Sequence, residues 1–165
     1  MTMAARSAQK VRGERPSAAE FDVANRAFFR LYQASNLLHK VGTRSVAEFG
    51  ATTQQWAVLG ALARPFDRVR GMTVKELIEF LMVSRQNITP LLDRLEDRGW
   101  IERVKDEEDG RSRRVRLTEV GDDIWNRMQV PIEAFYRDAL ANFALDEQLM
   151  LYRLLDRLKD RMSEM

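Results

Sequence analysis

The stretch from Met72 to Gly121 constrains the fold more than any other part of the chain. It reads as helix, tight turn, helix, strand, charged hairpin, strand and the start of a new helix. Thr73-Val74-Lys75-Glu76 forms a capping box, in which Thr73 and Glu76 each satisfy a free backbone N–H, and Met72 and Leu77 flank it as a hydrophobic staple. The helix it starts is short, running to about Phe80. Leu81-Met82-Val83 is the turn, and Ser84 is the N-cap of the next helix. Ile88, Leu91, Leu92 and Leu95 recur at i, i+3, i+4 and i+7 and must face a core. That leaves Arg85, Gln86, Thr89, Pro90 and Asp93 on the outer faces. Gly99 ends the helix as a C′ residue. Trp100 to Lys105 and Arg113 to Leu117 read as short strands, joined by a hairpin whose tip has four arginines and no acid from Gly110 to Arg116.

A polar-faced helix followed by a basic hairpin is the arrangement by which a winged helix-turn-helix holds DNA, with the helix in the major groove and the hairpin on a neighbouring groove or the phosphates. The charge balance does not mark the segment as a generic polyanion binder. The chain carries a net +2, and Ser84 to Arg116 holds nine basic residues against eight acidic ones. The acids Asp106 to Asp109 sit on one arm of the hairpin, and the arginines sit at its tip and other arm, a separation that suits aimed contacts.

The rest of the chain supplies helices. Residues 1–19 are small, polar and basic and read as a mobile arm. Ser17 and Glu20 make another capping box. The helix after it carries Phe21, Ala24, Phe28, Leu31, Leu38 and Val41 as a stripe too long for a small winged core to cover. Gly50 breaks that pattern. Thr52 or Thr53 caps a second helix with Trp56, Leu59, Leu62 and Ala63 on its buried side, Pro65 stops it, and Phe66 to Gly71 reads as a loop. Thr118 caps a helix bearing Ile124, Trp125, Met128 and Ile132, with Pro131 expected to bend it. Asp146 starts a last helix whose Leu151, Leu154, Leu155, Leu158 and Met162 form a seam. The fold class is mainly α with a small β-hairpin wing: a winged helix-turn-helix over residues 52–119 plus a helical dimerisation layer from 20–50 and 120–165, together one domain over 20–165.

Composition removes several function classes. No apolar run approaches the ~20 residues that span a bilayer, and the basic N-terminus has no apolar segment of the secretory kind, so a cytoplasmic location is expected. There is no cysteine, and His39 is the one histidine, so no thiolate or multi-histidine metal site is available. No Gly-rich phosphate loop or nucleophile constellation is present; an enzyme, a catalytic residue and a cofactor are not expected. A winged-helix protein-interaction module without sequence-specific DNA binding is the better rival; it would bind DNA weakly and show no salt dependence.

The run Thr73-Val-Lys-Glu-Leu, then Val83-Ser-Arg-Gln-Asn-Ile-Thr, then Leu91-Leu-Asp-Arg-Leu-Glu-Asp-Arg-Gly99 resembles the MarR family of transcriptional regulators. So does Asp109-x-Arg111-Ser112 followed by Leu117-Thr118-x-x-Gly121, and the likeness extends over residues 20 to 165. The resemblance implies a homodimer on a pseudo-palindromic double-stranded operator, usually a repressor released by a small ligand. It makes Ser84 to Thr89 groove-facing and Arg94 a phosphate contact. It makes Arg111 the wing-tip arginine and Asp109 its ion-pair partner. The candidate DNA-contacting set is Thr73, Lys75, Ser84, Arg85, Gln86, Asn87, Thr89, Arg94, Asp109, Arg111, Ser112 and Arg113. Gln86 suits adenine and Arg85 suits guanine as bidentate partners. An Arg at position 111 would suit a narrow A·T-rich minor groove.

Two positions depart from the family pattern. Met82 stands where Gly is common in the turn, and strain follows if the backbone there needs φ > 0. Pro90 stands where a polar residue is common, has no N–H for the Gln86 carbonyl, and is expected to bend the helix. In the family the space between the first helix, the second helix and the winged region is a common effector pocket. Asn36, His39, Lys40, Arg44 and Trp56 are the candidate ligand residues, and a His with Lys or Arg would suit an aromatic carboxylate. Each has an ordinary reading beside this one: a surface histidine, a solvated helix face, a core tryptophan.

Overall fold

The computed structural model describes residues 15–106 and 112–165. It divides into two compact units at Lys40/Val41. The first unit is most of helix α1, Ala18–Ser45. The predicted cap is present: Ser17 N donates to Glu20 Oε2 at 2.9 Å, and Glu20 N donates to Ser17 Oγ at 3.2 Å. Phe21, Phe28, Phe29 and Tyr32 lie exposed along the helix. The arm expected over residues 1–19 falls mostly outside the described residues.

The second unit holds the core. After α1 comes a 3₁₀ turn, Ala47–Phe49, closed by Gly50, so the first helix stops at Ser45 and does not run to Gly50. Helix α2, Thr53–Leu62, is capped by Thr52, not Thr53: Gln55 N donates to Thr52 Oγ1 at 3.3 Å and Thr52 N to Gln55 Oε1 at 3.0 Å. Thr53 is bonded instead to Thr43, hydroxyl to hydroxyl at 2.9 Å.

The loop expected from Phe66 to Gly71 is a helix, α3, Pro65–Arg70. Pro65 does end α2, but it also occupies the first turn of α3, where a missing N–H costs nothing. Asp67 pairs with Arg64 at 2.8 Å across that first turn. Six residues are too few to show a helical apolar period, which is why the sequence pattern missed it.

A two-residue strand, β1 (Met72–Thr73), leads into α4, Val74–Leu81. Helix α5, Arg85–Asp97, follows the turn, then β2 (Ile101–Lys105) and β3 (Arg113–Leu117). The sheet order is β1-β3-β2, antiparallel throughout, with Met72 opposite Val115 and Ile101 opposite Leu117. β1 was not expected, because two residues carry no alternation to read.

Helices α6 (Glu119–Ala139) and α7 (Leu145–Ser163) complete the chain. α7 begins one residue before Asp146; Ala144 N donates to Glu147 Oε2 at 2.9 Å. Thr118 caps α6 as predicted, accepting from Gly121 N at 3.0 Å. It also donates to the Gly99 carbonyl at 2.6 Å, joining the start of α6 to the end of α5. Gly121 lies so close to that junction that a Cβ would overlap the Trp100 carbonyl oxygen.

One cluster gathers the apolar residues of α2, α4, α5, the sheet and α6. It includes Val58, Leu59, Leu62, Leu77, Ile88, Leu92, Leu95, Ile101, Val115, Met128 and Ile132, each essentially inaccessible. The four α5 residues assigned to the core from their spacing are all in it. No helix among the described residues is long and apolar enough to cross a membrane.

Candidate nucleic-acid interface

Two caps and one strained turn aim helix α5. Thr73 accepts from Glu76 N at 3.1 Å and Glu76 accepts from Thr73 N at 2.6 Å, so α4 starts where the sequence put it. Met82 closes α4 in the left-handed region, φ 53°, with its N–H bonded to the Ile78 carbonyl. A side chain in that region costs about 1–2 kcal/mol, so the strain anticipated at Met82 is present. Ser84 then caps α5, accepting from Asn87 N at 3.3 Å. Pro90 sits inside an α5 that continues to Asp97, and Gly99 follows with φ 68°.

With Ile88, Leu91, Leu92 and Leu95 buried, the outer face of α5 presents Ser84, Arg85, Gln86, Asn87, Thr89 and Arg94 to solvent. The side chains of Arg85 and Gln86 make no hydrogen bond or ion pair among the described residues. Thr89 Oγ1 donates back to the Arg85 carbonyl at 2.9 Å, and Arg94 Nε to the Pro90 carbonyl at 3.1 Å. That second bond is local and leaves the outer guanidinium nitrogens of Arg94 open. Lys75, at the start of α4, is exposed and only loosely paired with Glu79, at 3.8 Å. The Thr73 hydroxyl accepts the α4 capping bond. Ser112 is half-buried, and its carbonyl accepts from Asp106 N at 3.0 Å. Arg113 is exposed at the start of β3. Asp109 and Arg111 lie outside the described residues.

Four acids of this segment, Asp93, Glu96, Glu102 and Asp106, have partners that the sequence did not reveal. Arg103 of β2 reaches Asp93 Oδ1 at 2.6 Å and also pairs with Glu96, both on α5. Arg116 pairs with Glu102 at 2.7 Å, and Arg114 with Asp106 at 2.9 Å and Glu76 at 3.2 Å. Arg98 lies 3.6 Å above the Trp100 ring and donates to the Gly50 and Phe49 carbonyls. The near-neutral balance of Ser84 to Arg116 is therefore a mixture. Arg103, Arg114 and Arg116 neutralise acids within the fold, while Arg85, Arg94, Lys105 and Arg113 stand exposed. Burial pushes the Glu76 carboxyl up. The Thr73 capping bonds and the charges of Arg70 and Arg114 outweigh that, and hold it below the usual carboxylate range.

Residues 49–112 match the MarR family. A protein named transcriptional activatory protein BadR, of Rhodopseudomonas palustris, is 44% identical over 158 residues, covering 95% of this chain and 90% of that protein. The chain belongs to the MarR family. A second relative, the homoprotocatechuate degradative operon repressor of Escherichia coli, is 31% identical over 111 residues, covering 67% of this chain and 72% of its own. Among solved structures, the PcaV transcriptional regulator of Streptomyces coelicolor, in complex with its natural ligand, aligns with TM-score 0.64 and 32% identity, covering 81% of this chain and 89% of that one. As a MarR-family member the chain is a winged-helix, DNA-binding transcriptional regulator. In the order of elements, α5 stands in the place of the second helix of a winged helix-turn-helix and β2–β3 in the place of its wing.

The five candidate ligand residues divide between the two units. Asn36, His39 and Lys40 are exposed on α1 in the first; Arg44 is exposed in the second. Trp56 is a core residue of the second unit, its ring 5.9 Å from Phe135 and 5.6 Å from Tyr136. Burial pushes the Tyr136 hydroxyl up, against a hydrogen bond with Trp56.

Proposed function

We propose that this MarR-family regulator acts as a cytoplasmic homodimer on a pseudo-palindromic operator, with α5 reading the major groove and the wing holding the flank. The observation that carries the reading is the outer face of α5: a capped helix exposes the side chains of Arg85 and Gln86 and the outer guanidinium nitrogens of Arg94. Dimerisation is supported by the apolar residues left exposed on α7, Leu151, Leu154, Leu155 and Met162 among them. In such a dimer the two recognition helices would lie about one DNA turn apart, ~34–36 Å. Asp109 and Arg111 are assigned to the wing tip by the family motif.

The dimer is proposed to repress, and to be released by a small ligand, an aromatic carboxylate being the first class to test. The E. coli relative is named as a repressor of a homoprotocatechuate operon, and PcaV is described with a natural ligand. Asn36, His39, Lys40, Arg44 and Trp56 are the proposed ligand residues. A second reading, activation, is favoured by the name of the 44% identical BadR. Selection of bound fragments from the source genome, followed by a reporter under the recovered promoter with and without a panel of aromatic acids, decides sign and ligand together. A chain that selects no sequence, and whose DNA affinity is flat in salt, would be an interaction module.

A further inference from the structure

Arg114 is the buried arginine of the described chain, 7% exposed, although it lies on the strand that carries the wing's basic residues. Its Nε sits 2.9 Å from Asp106 Oδ2. Its NH1 donates to Glu76 Oε2 at 3.2 Å and to the Gly71 carbonyl at 3.3 Å. Asp106 is 5% exposed, and its backbone N–H bonds Ser112 across the two arms of the hairpin, just below the tip. Glu76 is the N3 residue of α4, where it also holds Thr73 N and the Arg70 guanidinium at 3.1 Å. One guanidinium thus joins both arms of the wing to the start of the helix-turn-helix.

A two-stranded hairpin is a weakly held element and can pivot where it leaves the core. Here a third strand steadies it, but over only two residue pairs, Met72 with Val115 and Thr73 with Arg114. Side chains must supply the rest of the restraint. Residues 103 and 114 project to opposite faces of the hairpin, because Arg114 stands opposite Val104 in the register. On one face Arg103 holds β2 to Asp93 and Glu96 of α5, and on the other Arg114 holds β3 to Glu76 of α4. A buried ion pair is weak evidence for stability, but its fixed geometry can specify one arrangement. Arginine suits this use, since its planar fork meets two carboxylates and a carbonyl at set angles where an ammonium could not.

We propose that Arg114 is a positioning residue for operator binding: without touching DNA, it sets the angle of the wing against the recognition helix through Asp106 and Glu76. The proposal rests on the reading of the wing as a DNA contact, and Arg113→Ala tests that reading separately. Exposed Arg113 neighbours Arg114 but has no part in the buried network.

The test uses the full chain, a selected operator, and affinity measured across a salt series together with a hydroxyl-radical footprint and a melting curve. Glu76→Gln is the decisive variant. Glutamine serves as well as glutamate at N3 of a capping box, so α4 keeps its cap. Removing a negative charge near phosphates should by itself tighten DNA binding. Positioning demands the opposite sign: a loss of roughly three- to tenfold, in the range of measured couplings within one network, with protection lost at the operator flanks and kept at the centre. Arg114→Met should show the same pattern, the Glu76→Gln/Arg114→Met pair should be no worse than Arg114→Met alone, and Arg114→Lys should not rescue. Glu76→Gln binding as well as wild type or tighter, additive losses in the pair, or recovery with lysine would each overturn the proposal. So would a lowered melting temperature with an unchanged footprint in Arg114→Met, which is the mark of a merely structural role. If Arg113→Ala leaves affinity, salt slope and flank protection intact, the wing is not a contact, and the underlying reading fails first.

Discussion

The winged region and the terminal helices are both rich in apolar residues, and they use them differently. From α2 to α6 the apolar side chains converge: Leu59, Leu77, Leu92, Leu95 and Val115 are essentially inaccessible. In α7 no residue is buried, and in α1 the buried residue is Gly42. Phe21 on α1 is 63% exposed, and Leu154 on α7 is 50% exposed. Both patterns have helical spacing, so periodicity alone does not say where a stripe is buried. What differs is whether the chain itself supplies an opposing surface. A region that buries its own stripe can fold as a monomer; the proposed dimer would cover the other stripes, at a free energy that depends on concentration.

The largest effect that would break this contrast lies in the core. Leu92→Ala or Leu95→Ala removes a fully buried side chain of the recognition helix and should cost about 2–5 kcal/mol in a urea titration, because the surroundings close only partly over the cavity. The same truncation at Leu154 should leave the unfolding free energy of the winged region nearly unchanged. Equal losses at Leu92 and Leu154 would mean that the two regions share one core.

Association is the next test. Leu155→Asp combined with Leu158→Asp places two charges in the α7 seam and should convert a dimer to a monomer in sedimentation at micromolar concentration. The wild-type melting temperature should rise with protein concentration, and the variant's should not. A wild-type chain that sediments as a monomer would remove the proposed use of these helices.

Much of the winged region was legible in the sequence because its elements are bounded by local chemistry. The Thr73/Glu76 box, the Ser84 and Thr118 caps and Gly99 each involve residues within a few positions of one another, and each is found in place. The misreadings have the opposite character. α3 and β1 are too short for a period, and the pairing of Arg103, Arg114 and Arg116 depends on which strand face meets which helix. The exposed face of α5 follows by subtraction once its buried face is fixed, so Arg85 and Gln86 could be named from spacing, whereas Arg94 was named from the family resemblance. The expected ligand residues had no such anchor.

The reading face belongs to the self-folding region, so substitutions there should alter DNA binding without altering association. Gln86→Ala should cost about 1–3 kcal/mol at the operator base it contacts and change which bases are tolerated there. Arg94→Ala should weaken all sequences alike and reduce the salt slope by about one. Anisotropy titrations against an operator and its single-base variants separate the two. Identical uniform losses would show that Gln86 touches only phosphate.

The smallest effect concerns a cost internal to the winged region. Met82 has φ 53° and its side chain is exposed, so no buried contact offsets the strain of the left-handed backbone. Glycine adopts that conformation freely, but it also gains freedom in the unfolded chain, which offsets part of the relief. Met82→Gly should therefore stabilise the winged region by no more than about 1 kcal/mol. Because the turn is already closed by backbone bonds from Met82 and Val83 to the Ile78 carbonyl, its geometry should not change. Operator affinity and dimerisation should both stay at the wild-type level. Urea unfolding of the Leu155→Asp/Leu158→Asp background, where association no longer contributes, measures the effect without interference. A loss of stability there would mean that the Met82 side chain makes a stabilising contact its exposure does not suggest.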